Sequence, residues 1–157
     1  LFFNTNMVYF LIIFWSIFIL LYRSSYVVGN GEKISIEDFL KECPTTPNCV
    51  FSMSNYPKAR VKPIRYKKNL STAKKKLKLV IDSMGNARFR KIASIYWHVE
   101  FTSNLLGFVD DVEFYFHDPE SLIHLRSASR LGYWDFGVNR KRIEKIRLMF
   151  QTLGDVK

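Results

Sequence analysis

The sequence predicts an α+β fold: a two-layer domain whose antiparallel sheet is covered by helices on one face, preceded by one transmembrane helix. Three observations lead there. An uncharged apolar run opens the chain, period-two alternation of apolar and polar residues fills its middle, and two segments of helical period flank that middle. Helix, several antiparallel strands, helix is the order of a sheet with its helices gathered on one side.

From Met7 to Tyr22 (MVYFLIIFWSIFILLY) there is no charge, no Gly and no Pro. As a helix this run covers about 24 Å, and about 33 Å with the uncharged Leu1 to Asn6, against a hydrocarbon core of about 30 Å. Tyr22 and Arg23 close it as interfacial anchors do. Residues 1–23 are therefore expected to be a membrane anchor. A cleaved signal peptide fits less well, because no Lys or Arg precedes the run and Arg23-Ser24-Ser25-Tyr26 is a poor cleavage site. A core helix fits less well because no amphipathic period is visible. Residues 24–34, with Gly29-Asn30-Gly31, read as a linker, which leaves 35–157 as the globular domain.

Within that domain Ser35-Ile36-Glu37-Asp38 has the form of a capping box for a short helix ending near Glu42. Cys43-Pro-Thr-Thr-Pro-Asn-Cys49 opens a loop that runs on to Pro57. The chain has no other cysteine, and zinc needs about four ligands that nothing nearby supplies. In an oxidising compartment a disulfide between Cys43 and Cys49 is expected, worth roughly 2 kcal/mol by loop closure. In the cytosol the same residues would be two buried thiols. Arg60 to Tyr66, interrupted by Pro63, is an edge strand at most. Ser71 then caps a helix with Ala73, Leu77, Val80, Ile81 and Met84 on one face and lysines on the other, stopped by Gly85-Asn86.

Strands are expected over 87–94 and 95–102, with Trp97, Val99 and Phe101 alternating against Tyr96, His98 and Glu100. Next, Val112, Phe114 and Phe116 alternate with Asp111, Glu113 and Tyr115. His117 to Ser121 is a turn, and 122–129 returns with Ile123 and Leu125 inward. A last helix begins near Asn139, with Ile143, Ile146, Phe150 and Leu153 on its apolar side.

Composition bounds the function. Apolar residues at 48% and aromatics at 16% exclude a disordered chain. The net charge of +10 comes from residues 58–78, where ten basic residues meet no acidic one; elsewhere 14 basic residues balance 14 acidic ones. Lys74, Lys75, Lys76 and Lys78 of this segment are candidates for contact with an anionic lipid surface. Nucleic-acid binding is disfavoured, since only Tyr66 interleaves the patch as a stacking aromatic.

Three groupings could carry chemistry. Pairing Phe116 with Ile123 and Phe114 with Leu125 sets Glu113 opposite Arg126 and Tyr115 opposite His124, on the face away from the helices. Glu100 and His98 of the neighbouring strand join them there. This face is either solvated or a shallow polar site with His98 or His124 held by Glu100 or Glu113 as a general base. Asp110, Asp111 and Glu113 lack the alternation and mid-loop Gly of a calcium loop, so no metal and no cofactor is expected. Finally, a loop ending at an Asn139 N-cap could hold an anion with Arg130, Arg140 and Arg142; alternatively Asp135 pairs with one of these arginines and pins the loop.

Three ordered motifs carry a resemblance. Cys-Pro-x-x-Pro-Asn-Cys-Val, Phe-x-Ser-x-Leu-x-Gly-Phe-Val-Asp-Asp-Val-Glu-Phe and Arg-Ser-Ala-Ser-Arg-x-Gly-Tyr-x-Asp-Phe-Gly-Val-Asn-Arg-Lys-Arg, within about 40–153, resemble domain-of-unknown-function family 1499. Phe51 departs from the small polar residue usual there. The resemblance implies a membrane-associated or exported domain and assigns no reaction. The expectation is a single-pass envelope protein with its domain on the periplasmic or lumenal side. In this reading the domain is non-catalytic and binds an anionic or amphipathic ligand, or a protein partner, near the bilayer. The alternative is a hydrolase-type enzyme using His98, Glu113, His124 and Arg126.

Overall fold

A computed structural model of the protein describes residues 41–154. The anchor and linker expected over 1–34 lie outside them, as does most of the short helix expected up to Glu42. Among the described residues no helix is long and apolar enough to cross a membrane.

The elements are β1 (Cys49–Phe51), β2 (Ile64–Arg65), α1 (Leu70–Asp82), β3 (Ala87–Ile92), β4 (Tyr96–Thr102), β5 (Val109–His117), β6 (Leu122–Ser129) and α2 (Val138–Thr152). A 3-10 turn, Asp118–Glu120, joins β5 to β6. The strands form one six-stranded sheet in the order β1-β6-β5-β4-β3, and every ladder is antiparallel. The short β2 also pairs with β6, so β1 and β2 share one edge of that strand.

Both helices cover one face. Trp97, Val99, Phe101, Val112, Phe114, Phe116, Ile123 and Leu125 point toward them from the sheet and are buried. Ala73, Leu77, Val80 and Ile81 of α1 and Ile143, Ile146 and Phe150 of α2 meet these residues at 3.6-residue spacing. Each large apolar side chain so buried stabilises the fold by about 1.5–3 kcal/mol. The β5–β6 register is the one the alternation predicts, with Phe116 opposite Ile123, Phe114 opposite Leu125, Glu113 opposite Arg126 and Tyr115 opposite His124.

Several local expectations need correction. Cys49–Phe51, read as loop, is a strand, because Cys49, Val50 and Phe51 pair with Ala128, Ser127 and Arg126. The first helix is capped by Asn69, whose side-chain oxygen accepts from Thr72 N at 2.9 Å; Ser71 already lies inside it. The last helix begins at Val138 behind Gly137 in the left-handed region, so Asn139 sits in the first turn. Leu153 terminates that helix in extended backbone and stays exposed. The sheet face away from the helices is also partly covered. A second cluster of Cys43, Cys49, Phe51, Ala59 and Tyr96 packs there, with Tyr115 and Ala128 against it.

Candidate functional site

The uncovered part of this outer face carries a charged network that the strand register assembles. Arg130, just beyond β6, donates from Nε to Asp111 Oδ2 at 2.8 Å and reaches Glu100 with its second arm. Arg90 Nε donates to the other Glu100 oxygen at 2.5 Å. His98 Nε2 lies 2.6 Å from Asp111 Oδ1. Burial alone would push the Asp111 carboxyl up, but hydrogen bonds from His98 and Arg130 outweigh it and hold it well below the usual carboxylate range. Glu100 is lowered chiefly by the bonds from Arg90 and Arg130.

The residues named for a general-base site fall into separate groups. Glu113 accepts from Tyr96 Oη at 2.7 Å and from Arg126 at 2.9 Å. Burial raises the Tyr96 hydroxyl, and the Glu113 charge raises it further, so Tyr96 remains a donor. His98 is oriented by Asp111, not by Glu100 or Glu113, although Glu113 is its register partner. His124 lies one strand further on, its Nδ1 3.2 Å from Ser52 Oγ. Burial lowers its pKa first, and neighbouring His117 adds to this. His117, Glu120 and His124 bring one ligand atom each within 4.8 Å of one another.

The start of α2 is built differently from the anion site read in the sequence. Asp135 carboxylate oxygens accept from Gly137 N at 2.8 Å and from Asn139 N at 2.9 Å, occupying the first helical N–H groups with the protein's own anion. It pins the loop through backbone and Asn139, not through an arginine. Asn139 is wholly buried; its amide donates to Asn48 O, Ser129 Oγ and Asp135, and accepts from Ser127 and Arg142. Arg142 is buried against Asp110 at 2.5 Å. Arg140 donates to the carbonyls of Arg60, at 3.0 Å, and Lys58, at 2.5 Å. Arg130 therefore serves the outer face while Arg142 serves the helix side, and Arg140 borders a cavity.

That cavity, about 560 Å³, lies between the cysteine loop and the loop leading into α2. Pro44, Pro47, Tyr56 and Trp134 form apolar walls, and Lys58 and Arg140 also line it. Cys43 and Cys49 are joined in a disulfide that fixes one wall. Trp134 packs in a tilted ring pair with Phe136, centroids 4.5 Å apart, and is 59% exposed, within a loop that also exposes Leu131, Tyr133 and Phe136. The β4–β5 loop ends where this loop begins, since Arg130 N donates to Val109 O, and it exposes Leu105, Leu106 and Phe108. Periodicity gave no sign of these side chains as a group, because they sit on loops and meet only through the strand ends.

The four lysines of the basic segment mostly fold onto the domain. Lys74 donates to Ser94 O and stands over the Phe116 ring; Lys76 stands over Phe150; Lys78 pairs with Asp82 at 2.7 Å and stands over Phe89. Lys75 is exposed.

Compared with known proteins, the chain matches the family model described as "Protein of unknown function (DUF1499)" over residues 39–150. No curated protein and no solved structure matches it. The matched stretch takes in the disulfide loop, the whole sheet and nearly all of α2, so the domain described here is a member of the DUF1499 family.

Proposed function

We propose that the domain is a non-catalytic binding module for an anionic amphiphile, held close to a bilayer by the apolar segment at residues 1–23. The cavity between the cysteine loop and Trp134 carries this reading. It is walled by Pro and aromatic side chains and lined by Lys58 and Arg140, the combination that takes a hydrocarbon tail beside an acidic head. Its volume falls in the range of small-ligand sites, about 300–1,000 Å³.

Two further features agree with this position. Leu131, Tyr133, Trp134 and Phe136 are exposed on the loop that reaches the cavity, and Leu105, Leu106 and Phe108 on the β4–β5 loop whose end it meets, where soluble surfaces rarely gather so many. The disulfide suits an oxidising compartment, periplasmic or lumenal. The basic segment would add about 1 kcal/mol per residue engaged with anionic lipid. Against the hydrolase reading, Glu113 and Arg126 neutralise each other, and His98 and His124 sit on different strands with neither held by Glu100 or Glu113.

The test is a fluorescence titration of the full chain with oleate, using oleyl alcohol as the uncharged control. Trp134→Phe identifies the signal of the cavity wall against the other two tryptophans. Oleate should give a saturable blue shift that Trp134→Phe abolishes and Arg140→Gln weakens about tenfold, the equivalent of about 1.4 kcal/mol. Equal binding of oleyl alcohol, or no saturable shift with oleate, removes the reading.

A further inference from the structure

We infer that His117, Glu120 and His124 form a binding site for a divalent transition-metal ion, of which zinc best suits two imidazoles and one carboxylate. The three side chains project from the β5–β6 connection, His117 ending one strand, Glu120 in the turn and His124 on the returning strand. One ligand atom from each lies within 4.8 Å of the others, and His117 Nδ1 is 3.6 Å from Glu120 Oε2. Two donors at about 2.1 Å from a tetrahedral zinc stand about 3.4 Å apart, so this pair is already at coordination spacing.

Two independent observations point to a ligand. His117 Nδ1 is buried and has no hydrogen-bond partner, which a folded protein tolerates poorly unless something else binds the lone pair. His124 is held at its other edge, with Ser52 Oγ 3.2 Å from Nδ1. A metal taken at Nε2 leaves that bond in place as the outer-shell support that zinc-binding histidines characteristically have. Ser52 is itself fixed, since its hydroxyl accepts from Leu125 N at 3.1 Å and its N–H donates to Leu125 O.

The turn is also braced. Tyr66 Oη donates to Asp118 at 2.6 Å, Tyr66 N donates to Ser121 O, and Arg65 donates to the Glu120 carbonyl at 3.3 Å. Tyr115 stacks on the His117 ring, with centroids 6.3 Å apart. Glu120 remains exposed, so an ion has an open approach. Three protein donors leave at least one coordination position for water or an oxygen ligand. The site is separate from the cavity: His124 and Ala128 are four residues apart on β6, about 13 Å, with the cavity at the Ala128 end.

The experiment strips the full chain with a chelator and titrates it with zinc chloride by calorimetry, with cobalt(II) absorption reporting the donor set. One zinc should bind per chain and raise the thermal midpoint. His117→Gln, His124→Gln and Glu120→Gln should each lower zinc affinity by more than about tenfold, and Ser52→Ala by about tenfold. His98→Gln, at the remaining histidine of the chain, should change nothing. Glu120→Gln lies on an exposed turn and leaves the sheet intact, so a loss there cannot be misfolding. Zinc affinity that survives Glu120→Gln, His117→Gln and His124→Gln, or that falls with His98→Gln, or no zinc binding at all, overturns the site.

Discussion

Opposed effects meet at Asp111, where a half-buried carboxylate is kept ionised by His98 and Arg130. Its folded pKa lies below its unfolded value of about 3.9, so its contribution is complete above about pH 4 and is lost as pH falls. Glu100 is lowered in the same direction by Arg90 and Arg130. Arg130→Gln removes partners of both carboxylates at once. Its acid-unfolding midpoint should therefore move to higher pH than that of the unaltered chain, read by far-ultraviolet circular dichroism. Identical acid limbs would mean that solvent screens the network fully.

The same residues show what the sequence allowed at this scale. Alternation put His98, Glu100, Glu113, His124 and Arg126 on one face, and that held. It could not pair them, because pairing across the sheet depends on which long side chain reaches which neighbour. Arg130 lies past the last alternating residue and was read as part of a loop, yet it turns back over β5 and β4 to take Asp111 and Glu100. His117 and Glu120 passed as turn residues, although the spacing His-x-x-Glu-x-x-x-His over a tight turn was a readable signal.

Element ends were the least legible parts. Apolar stripes mark both helices, but each cap lies two residues before the one the sequence suggests. In the first, Asn69 holds the extended backbone of a cap and accepts from Thr72 N, while Ser71 already lies inside the helix. In the second, Asp135 reaches over Gly137, whose positive φ of 75° lets the chain fold back onto the carboxylate. Asn139 then joins four segments: α2, β6, the Asp135 loop and the cysteine loop through Asn48 O. Asn139→Ala would take one of two donors from the Asn48 carbonyl and strip the Ser127 and Ser129 hydroxyls of their bonds to the buried amide, and should cost about 3 kcal/mol in urea unfolding. Asp135→Ala, which loses the cap and one bond of the Asn139 amide, should cost about 1 kcal/mol. Equal costs would mean that the buried amide contributes no more than a cap.

For the molecule as a whole, charge and redox chemistry bear on its setting. The excess of ten positive charges resides in residues 58–78, and the rest of the chain is balanced. The disulfide joins residues six apart in a loop that also forms a cavity wall. In freshly isolated membranes a thiol-reactive probe should label neither cysteine until the protein is reduced. Labelling of both without reduction would put the domain in a reducing compartment and remove the periplasmic or lumenal placement. Reduction should destabilise the domain by roughly 2 kcal/mol through loop-closure entropy.

The tandem pairing of β1 and β2 on β6 also bears on how copies of the domain meet. One long β6 edge is filled in relay: Ser129 N donates to Asn48 O, β1 covers 126–128, Ser52 binds both backbone groups of Leu125, and β2 covers 122–123. What lies outward there is two strands of three and two residues, divided by a loop whose Ala59 and Val61 in turn bond the backbone of Phe51. At the opposite edge β3 carries Arg88, Arg90 and Lys91 around a bulge. Short strands, cationic side chains and a bulge are the devices that stop one sheet from growing onto another. A domain with so many exposed aromatic side chains can thus be crowded without recruiting its neighbours into a shared sheet, and its contacts are left to loops and side chains.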